Sequence, residues 1–235
     1  MELSNRLQAV ADMVTPGLPV ADVGCDHGYI PIYLVQNGIS PHVTAMDINE
    51  GPLERARENI CRQQGELPIE LILSDGLRAL RPGEVESVIV AGMGGGLVMK
   101  ILEDSMEVVR ELKECILQPQ SEIYKVRAFL LEKGFLVISE NMICEDGKYY
   151  PMMKVRFEGE YVSRNRKWSE TELRFGKLLL SEQNPVLYQF MEKELEIKQR
   201  VLSGLADRRG EKIVERISQL NEEIRCIQEG IAYYK

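Results

Sequence analysis

Through about residue 158, short apolar runs alternate with amphipathic stretches. This constrains the chain more than any other feature, because it is the pattern of successive βαβ units that build a mostly parallel sheet. The strand candidates are Val20–Val23, Val43–Asp47, Ile69–Leu73, Val88–Ala91, Cys115–Leu117 and Phe135–Ser139. Between them fall helix candidates at Leu3–Met13, Ile30–Gln36, Pro52–Gln63, Leu97–Leu112 and Ser121–Glu132. After Ser139 the helices stop. Tyr149–Phe157 reads as a last strand, entered through the turn Glu145-Asp146-Gly147-Lys148 and therefore antiparallel to its neighbour. The expectation is a seven-stranded α/β domain over residues 1–160.

Residues 161–235 read differently, as a charged and helical second domain. Trp168–Ser181 is predicted as one helix, and Asn184 caps another that begins at Pro185. Asp207–Gly210 reads as a tight turn. In the last helix Ile213, Ile217, Leu220, Ile224, Ile227 and Ile231 recur at alternating steps of four and three, a heptad seam. Leu187, Phe190, Ile197 and Val201 form a comparable stripe on the preceding helix, interrupted by Glu194. A short turn between two such helices implies an antiparallel hairpin. The alternative partner for the seam is a second copy of the chain, so a monomer is expected with a homodimer through these helices as its rival.

Composition narrows the function classes. No run approaches the roughly 20 apolar residues needed to span a bilayer, so no membrane role is expected. The N-terminus Met-Glu-Leu-Ser-Asn-Arg lacks the basic and apolar regions of a signal peptide. Cys25, Cys61, Cys115, Cys144 and Cys226 are odd in number and form no CxxC, as in reduced cytoplasmic proteins. With only two histidines, His27 and His42, no metal centre is expected. Charge is split: residues 1–160 hold 15 Lys/Arg against 25 Asp/Glu, a net −10, and residues 161–235 hold 14 against 12, a net +2. The first part repels a phosphate backbone and the second mildly attracts one.

The chemistry-bearing residues cluster at strand ends. Val20-Ala21-Asp22-Val23-Gly24-Cys25-Asp26-His27-Gly28-Tyr29 is a strand running through a glycine turn into a helix, which exposes free backbone N–H groups to a ligand. It fails as a GxGxxG dinucleotide motif because Asp26 stands at the second glycine, where a carboxylate repels a diphosphate. A ligand with a sulfonium and an amino-acid tail suits Asp26 better. Asp47 ends the second strand, 19 residues after Gly28, where a carboxylate can take both ribose hydroxyls of an adenosine. Asp75 ends the third strand, within reach of an adenine amino group. Three consecutive strands that end in aspartate at the ligand-binding edge point to a bound adenosine. The fourth strand ends in Ala91-Gly92-Met93-Gly94-Gly95-Gly96, read as a bare shelf for a flat base, and Gln118 and Gln120 offer amides to a base edge. Tyr149 and Tyr150 can stack on a base or pack in a core. No nucleophile–histidine arrangement is visible, and Cys25 and His27 read as local packing.

These segments, taken in order, resemble the class I methyltransferases, and more narrowly the bacterial tRNA adenine-N1 methyltransferases that modify adenine 22. The resemblance rests on Leu3-Ser4-Asn5-Arg6-Leu7, Val23-Gly24-Cys25-Asp26-His27-Gly28-Tyr29, Asp47-Ile48-Asn49, Ser74-Asp75-Gly76-Leu77, Gly92-Met93-Gly94-Gly95, Leu117-Gln118-Pro119 and Glu145-Asp146-Gly147-Lys148-Tyr149-Tyr150. It implies a Rossmann-like methyltransferase sheet whose last strand is antiparallel, with S-adenosylmethionine held by Asp22, Gly24, Asp26, Gly28, Asp47, Asn49, Ser74 and Asp75, and by Gly92 beside the reacting group. The Asn/Asp-Pro-Pro-Tyr motif of DNA amino-group methyltransferases is replaced by Gly92-Met93-Gly94-Gly95, which suits a ring nitrogen with an in-plane lone pair. On this reading Gly94, Gly95, Gln118 and Tyr149 meet the base. Arg164, Lys167, Arg208 and Arg209 meet tRNA, and Asp26 stabilises the cationic product. A methyltransferase of small molecules or proteins, or a non-catalytic S-adenosylmethionine-binding scaffold, is the alternative.

Overall fold

The structure, a computed structural model, describes residues 2–159, 167–205 and 209–235, which divide into two compact units, Met1–Arg166 and Lys167–Lys235. In the first, helix α1 (Asn5–Asp12) starts where the Ser4 side chain accepts the Leu7 N–H. Strand β1 (Val20–Val23) leads through a short turn at Asp26–Gly28 into α2 (Tyr29–Gln36). Then follow β2 (Val43–Asp47), α3 (Glu50–Cys61), β3 (Ile69–Leu73), β4 (Ser87–Met93), α4 (Gly95–Asp104), α5 (Met106–Val109), β5 (Glu114–Pro119), α6 (Ile123–Glu132), β6 (Phe135–Glu145) and β7 (Lys148–Phe157).

All seven strands form one sheet in the order β3-β2-β1-β4-β5-β7-β6. The first five are parallel, and β7 inserts antiparallel between β5 and β6. The antiparallel pairing of β6 and β7 follows from the turn: Asp146 (φ +50) and Gly147 (φ +74) both take positive φ, the geometry that folds a tight two-residue hairpin. Strands β1, β2 and β5 are buried at every position, as expected when helices cover both faces. Val10 and Ala11 of α1 and Ile30 and Leu34 of α2 pack with Val20, Val43, Ile89, Ile116 and Met152, while Leu53 of α3 packs on Ala45. Helices α4 and α6 pack together and against β4, β5 and β6.

Two expected helices are broken. Leu97–Leu112 divides at Ser105, whose φ −128 and ψ 32 leave the helical region. Trp168–Ser181 divides at Gly176, at φ +94, into α7 (Glu170–Phe175) and α8 (Lys177–Ser181). Apolar periodicity runs through both breaks, so it did not reveal them.

In the second unit Ser169 and Glu172 form a reciprocal capping box at α7. The Asn184 Oδ1 accepts N–H groups of Val186 and Leu187 at 3.0 Å each, starting α9 (Pro185–Leu205). Helix α10 (Glu211–Ile231) packs on α9 along the heptad seam, with Leu220, Ile224 and Ile227 buried. The helices are antiparallel: Lys198 pairs with Glu223 at 2.7 Å, and the Tyr234 hydroxyl donates to the Asn184 carbonyl at 2.8 Å. The seam is covered within the chain around Leu187, Leu220, Ile224 and Ile227, while Ile197 and Val201 toward the other end stay exposed. Of the expected turn Asp207–Gly210, Asp207 and Arg208 lie outside the described residues. No described helix is long and apolar enough to cross a membrane.

Candidate functional site

Strand order reverses at β1, which has β2 on one side and β4 on the other. Open α/β sheets leave a crevice at such a point, outside the carboxyl ends of the strands. Here it is a cleft of about 330 Å³ between the loop after β1 and the end of β4. Arg6 of α1, Asp22, Gly24, Asp26, Gly92 and Gln120 are among the residues lining it.

Gly24 holds φ +78, and a Cβ there would run into the end of the Met93 side chain. Bare backbone is required at that wall. Gly28, also expected to meet the cofactor, packs closely against α3. It is buried with φ +65, and a Cβ on it would come within 3.1 Å of the Ala56 Cβ. Its small size serves the close approach of α3 to the turn.

The carboxylates differ sharply. Asp22 is 5% exposed, and none of the described residues gives its side chain a hydrogen bond. Burial, reinforced by the nearby charge of Asp47, pushes its carboxyl up to about 7. Asp47 is also buried; its Oδ1 accepts the Asn49 N–H at 2.9 Å. Asp26, expected to stabilise the cationic product, has a partner within the chain. Its side chain is half exposed, and Arg55 of α3 holds it through Nε at 3.0 Å and Nη2 at 2.6 Å. Its counter-ion is part of the protein, whereas none of the described residues pairs with the buried Asp22 or Asp47.

At the end of β3, Ser74 is turned to local work. Its Oγ donates to the Gly76 carbonyl at 2.9 Å and accepts the Ala79 N–H at 3.2 Å. Asp75 pairs with Arg78 at 2.9 Å. Ile48 and Leu73, beside Asp47 and Ser74, leave more than half of their surface exposed. Asn49 stands exposed at the start of α3 and makes no side-chain cap.

The glycine run after β4 is not one shelf. Gly92 is a bulge residue at φ +79 on the cleft wall, and Gly94 is an exposed helix N-cap. Gly95 is buried, and a Cβ there would collide with the Ser121 carbonyl and Val126. It exists to let α4 approach the start of α6. Gln118 does not offer a free amide either. It is fully buried, and its Oε1 accepts both Arg6 Nη1 and the Gly92 N–H, each at 3.1 Å. Gln120 is the glutamine on the cleft. The Tyr150 ring centroid lies 5.7 Å from the Arg6 guanidinium carbon. Cys25 is buried, and the His27 ring stacks on Tyr29.

Arg6 is the site residue that sequence reasoning left without a role, although it sits in a quoted motif. Nothing in local periodicity signals a contact 112 positions away. In the second unit Lys167 and Arg209 are exposed, while Arg164 and Arg208 lie outside the described residues.

Comparison with known proteins places these features in context. A family model described as "Methyltransferase domain" matches residues 3–153. The tRNA (adenine(22)-N(1))-methyltransferase of Bacillus subtilis is 28% identical over 234 residues, 98% of each chain. The structure of Streptococcus pneumoniae Sp1610 in complex with S-adenosyl-L-methionine superposes with a TM-score of 0.84 at 31% identity, covering 98% of this chain and 100% of that one. That of M. capricolum TrmK with S-adenosylhomocysteine gives 0.82 at 25%, covering all of both.

Proposed function

The chain belongs to the methyltransferase-domain family, and from that membership we infer that it transfers a methyl group from S-adenosylmethionine to N1 of an adenine in tRNA, at position 22. The observation that carries the reading is the full-length likeness to the B. subtilis enzyme, which includes the helical tail as well as the sheet. The cleft suits the donor chemically. Asp22 is a buried carboxylate without a counter-ion, and a sulfonium with an ammonium tail supplies one. Asp47 keeps one oxygen for ribose hydroxyls beside two exposed apolar side chains, Ile48 and Leu73, that can flank an adenine ring.

When bound, S-adenosylmethionine supplies an electrophilic methyl group on a cationic sulfur. Attack by the adenine N1 lone pair on that methyl, with the S–C electron pair left on sulfur, would make the base cationic and would ask no proton transfer of the protein. The protein's work is then positioning. Gly24 and Gly92 keep the walls bare, and Asp22 and Asp47 hold negative potential where positive charge passes from sulfur to base. Asp26, locked by Arg55, belongs to the wall. The base must be unstacked from tRNA at a cost of a few kcal/mol. Residues 161–235 are assigned to holding that RNA. The packing of α9 on α10 around Leu220, Ile224 and Ile227 supports a monomer. A tRNA substrate and five free cysteines support work in the cytoplasm.

Nucleoside mass spectrometry of a tRNA transcript incubated with protein and donor tests the reaction. N1-methyladenosine is expected at position 22; donor binding without any modified adenine would sink the assignment. Asp47→Ala is expected to weaken S-adenosylhomocysteine binding by about 1.5–3 kcal/mol, the range for hydrogen bonds to a charged group. Calorimetry that shows unchanged affinity removes Asp47 from the site.

A further inference from the structure

The order of the strands separates two walls of the cleft. Asp22 lies in β1 and Asp47 ends β2, whereas β4 and β5 continue the sheet on the other side of β1. A methyl passes in line between its two reactants, so an adenine facing a donor held by those carboxylates comes up against the ends of β4 and β5. Two glutamines stand there, and they differ. Gln118 is completely buried, and its Oε1 is taken by Arg6 and by the Gly92 N–H. Gln120 is exposed on the cleft. Its backbone N–H donates to the Met93 carbonyl at 2.8 Å, which ties the residue to the end of β4. None of the described residues gives its side-chain amide a hydrogen bond.

That amide stands beside bare backbone. Gly92 takes φ +79, and a Cβ on it would lie 3.8 Å from Gln120 Nε2 and 3.6 Å from Arg6 Nη1. The space a side chain would fill is left open to a flat ring. Arg6 brings only donors to it, whereas a carboxamide brings a donor and an acceptor side by side. Adenine with N1 turned to the methyl keeps its N6 amino group and N7 on the neighbouring edge. A glutamine amide matches that edge with two hydrogen bonds. Guanine presents two acceptors there, O6 and N7, so one of them faces the amide oxygen. The pairing with adenine also favours the reaction. As N1 gains the methyl, positive charge spreads to the amino group, and its hydrogen bond to the amide oxygen strengthens.

We propose that Gln120 reads the N6–N7 edge of the target adenine and selects adenine over guanine, its Oε1 accepting from N6 and its Nε2 donating to N7. This rests on the reading that the acceptor is N1 of a tRNA adenine.

The test uses the full chain with a tRNA carrying adenosine at position 22, and with the same tRNA carrying 7-deazaadenosine there, which puts C–H in place of N7. Single-turnover methylation at saturating donor is measured for wild type, Gln120→Met and Gln120→Glu. Melting temperatures check folding, and calorimetry gives the S-adenosylhomocysteine affinity of each. Gln120→Met is expected to methylate the natural tRNA roughly 10- to 100-fold more slowly, the span of a bidentate amide–adenine pair. Its S-adenosylhomocysteine affinity should stay at the wild-type value. The wild type should favour adenosine over the analogue about tenfold more than Gln120→Met does, because the methionine variant has no N7 contact to lose and reports the analogue's own reactivity. Gln120→Glu keeps an acceptor for N6 but turns an oxygen on N7, so relative to Gln120→Met it should favour the analogue. The same preference in all three proteins would show that Gln120 does not touch N7, and would overturn the proposal. So would a loss of S-adenosylhomocysteine affinity parallel to the loss of rate, which would put Gln120 on the donor. A wild type that binds S-adenosylhomocysteine yet leaves adenine 22 unmodified refutes the tRNA reading, and the proposal falls with it.

Discussion

At pH 8, Asp22→Asn is expected to raise the melting temperature of the ligand-free protein while weakening its hold on S-adenosylmethionine at least tenfold, the lower end for a lost charged contact. The opposite signs have one cause. The folded-state carboxyl titrates near 7 instead of 3.8, because burial and then Asp47 disfavour its charge. Between those values the folded protein binds more protons than the unfolded chain, so stability falls as pH rises from about 4 to 7 and stays lowered above. A rise of about three units corresponds to at most about 4 kcal/mol. Asparagine keeps the shape and removes that burden, so its advantage should grow over the same pH range and vanish below about pH 4. A cationic ligand reverses the balance by favouring the ionised carboxyl. Wild-type donor affinity should therefore increase with pH up to about 7, with proton release on binding, and the variant should lose both effects. Melting curves across pH, with calorimetry in buffers of different ionisation enthalpy, measure this. A variant no more stable at pH 8, beside a wild type whose affinity ignores pH, contradicts the assignment of Asp22.

Reversing Arg164, Arg166, Lys167, Arg208 and Arg209 to glutamate should lower tRNA methylation by more than about 100-fold at physiological salt, since each lost phosphate contact removes counterion-release free energy. The loss should lie in KM, leave S-adenosylhomocysteine affinity unchanged, and flatten the salt dependence. The motive is the charge split. Residues 1–160 carry a net −10, so attraction for RNA has to come from elsewhere, and residues 161–235 carry +2. Five reversals change that tail by ten charges, to −8. Methylation kinetics over a salt series provide the measurement. An unchanged KM would place the RNA on the acidic unit, against its net charge.

Strand candidates were legible because a parallel sheet buries both faces and writes mostly apolar runs such as Val20–Val23 and Val43–Asp47, interrupted by Asp22 and Thr44 and closed by Asp47. The heptad seam was legible for the same reason: Leu220, Ile224 and Ile227 have to be covered. Glycines were harder, because one residue type serves unlike ends. Gly24 and Gly92 face the cleft, but Gly28 and Gly95 admit a neighbouring helix or carbonyl, and only the fold tells them apart. Aspartates divide in the same way. Asp26 and Asp75 look like Asp22 in sequence, yet arginines from α3 and from the following turn neutralise the first two. The Arg6–Gln118 contact joins α1 to β5 and leaves no trace in any local window.

The insertion of β7 between β5 and β6 also fixes an order of events during synthesis. Strand β6 leaves the ribosome directly after α6 but has no sheet neighbour until β7 exists, because β7 alone pairs with it. Strand β5 likewise waits for β7 to cover its outer edge. The Arg6–Glu145 hydrogen bond closes a loop of 139 positions, a slow, long-range closure. A nascent chain that stops before Lys148 therefore carries every carboxylate of the cleft on an unfinished sheet, and donor binding by stalled chains should appear only once the hairpin has emerged.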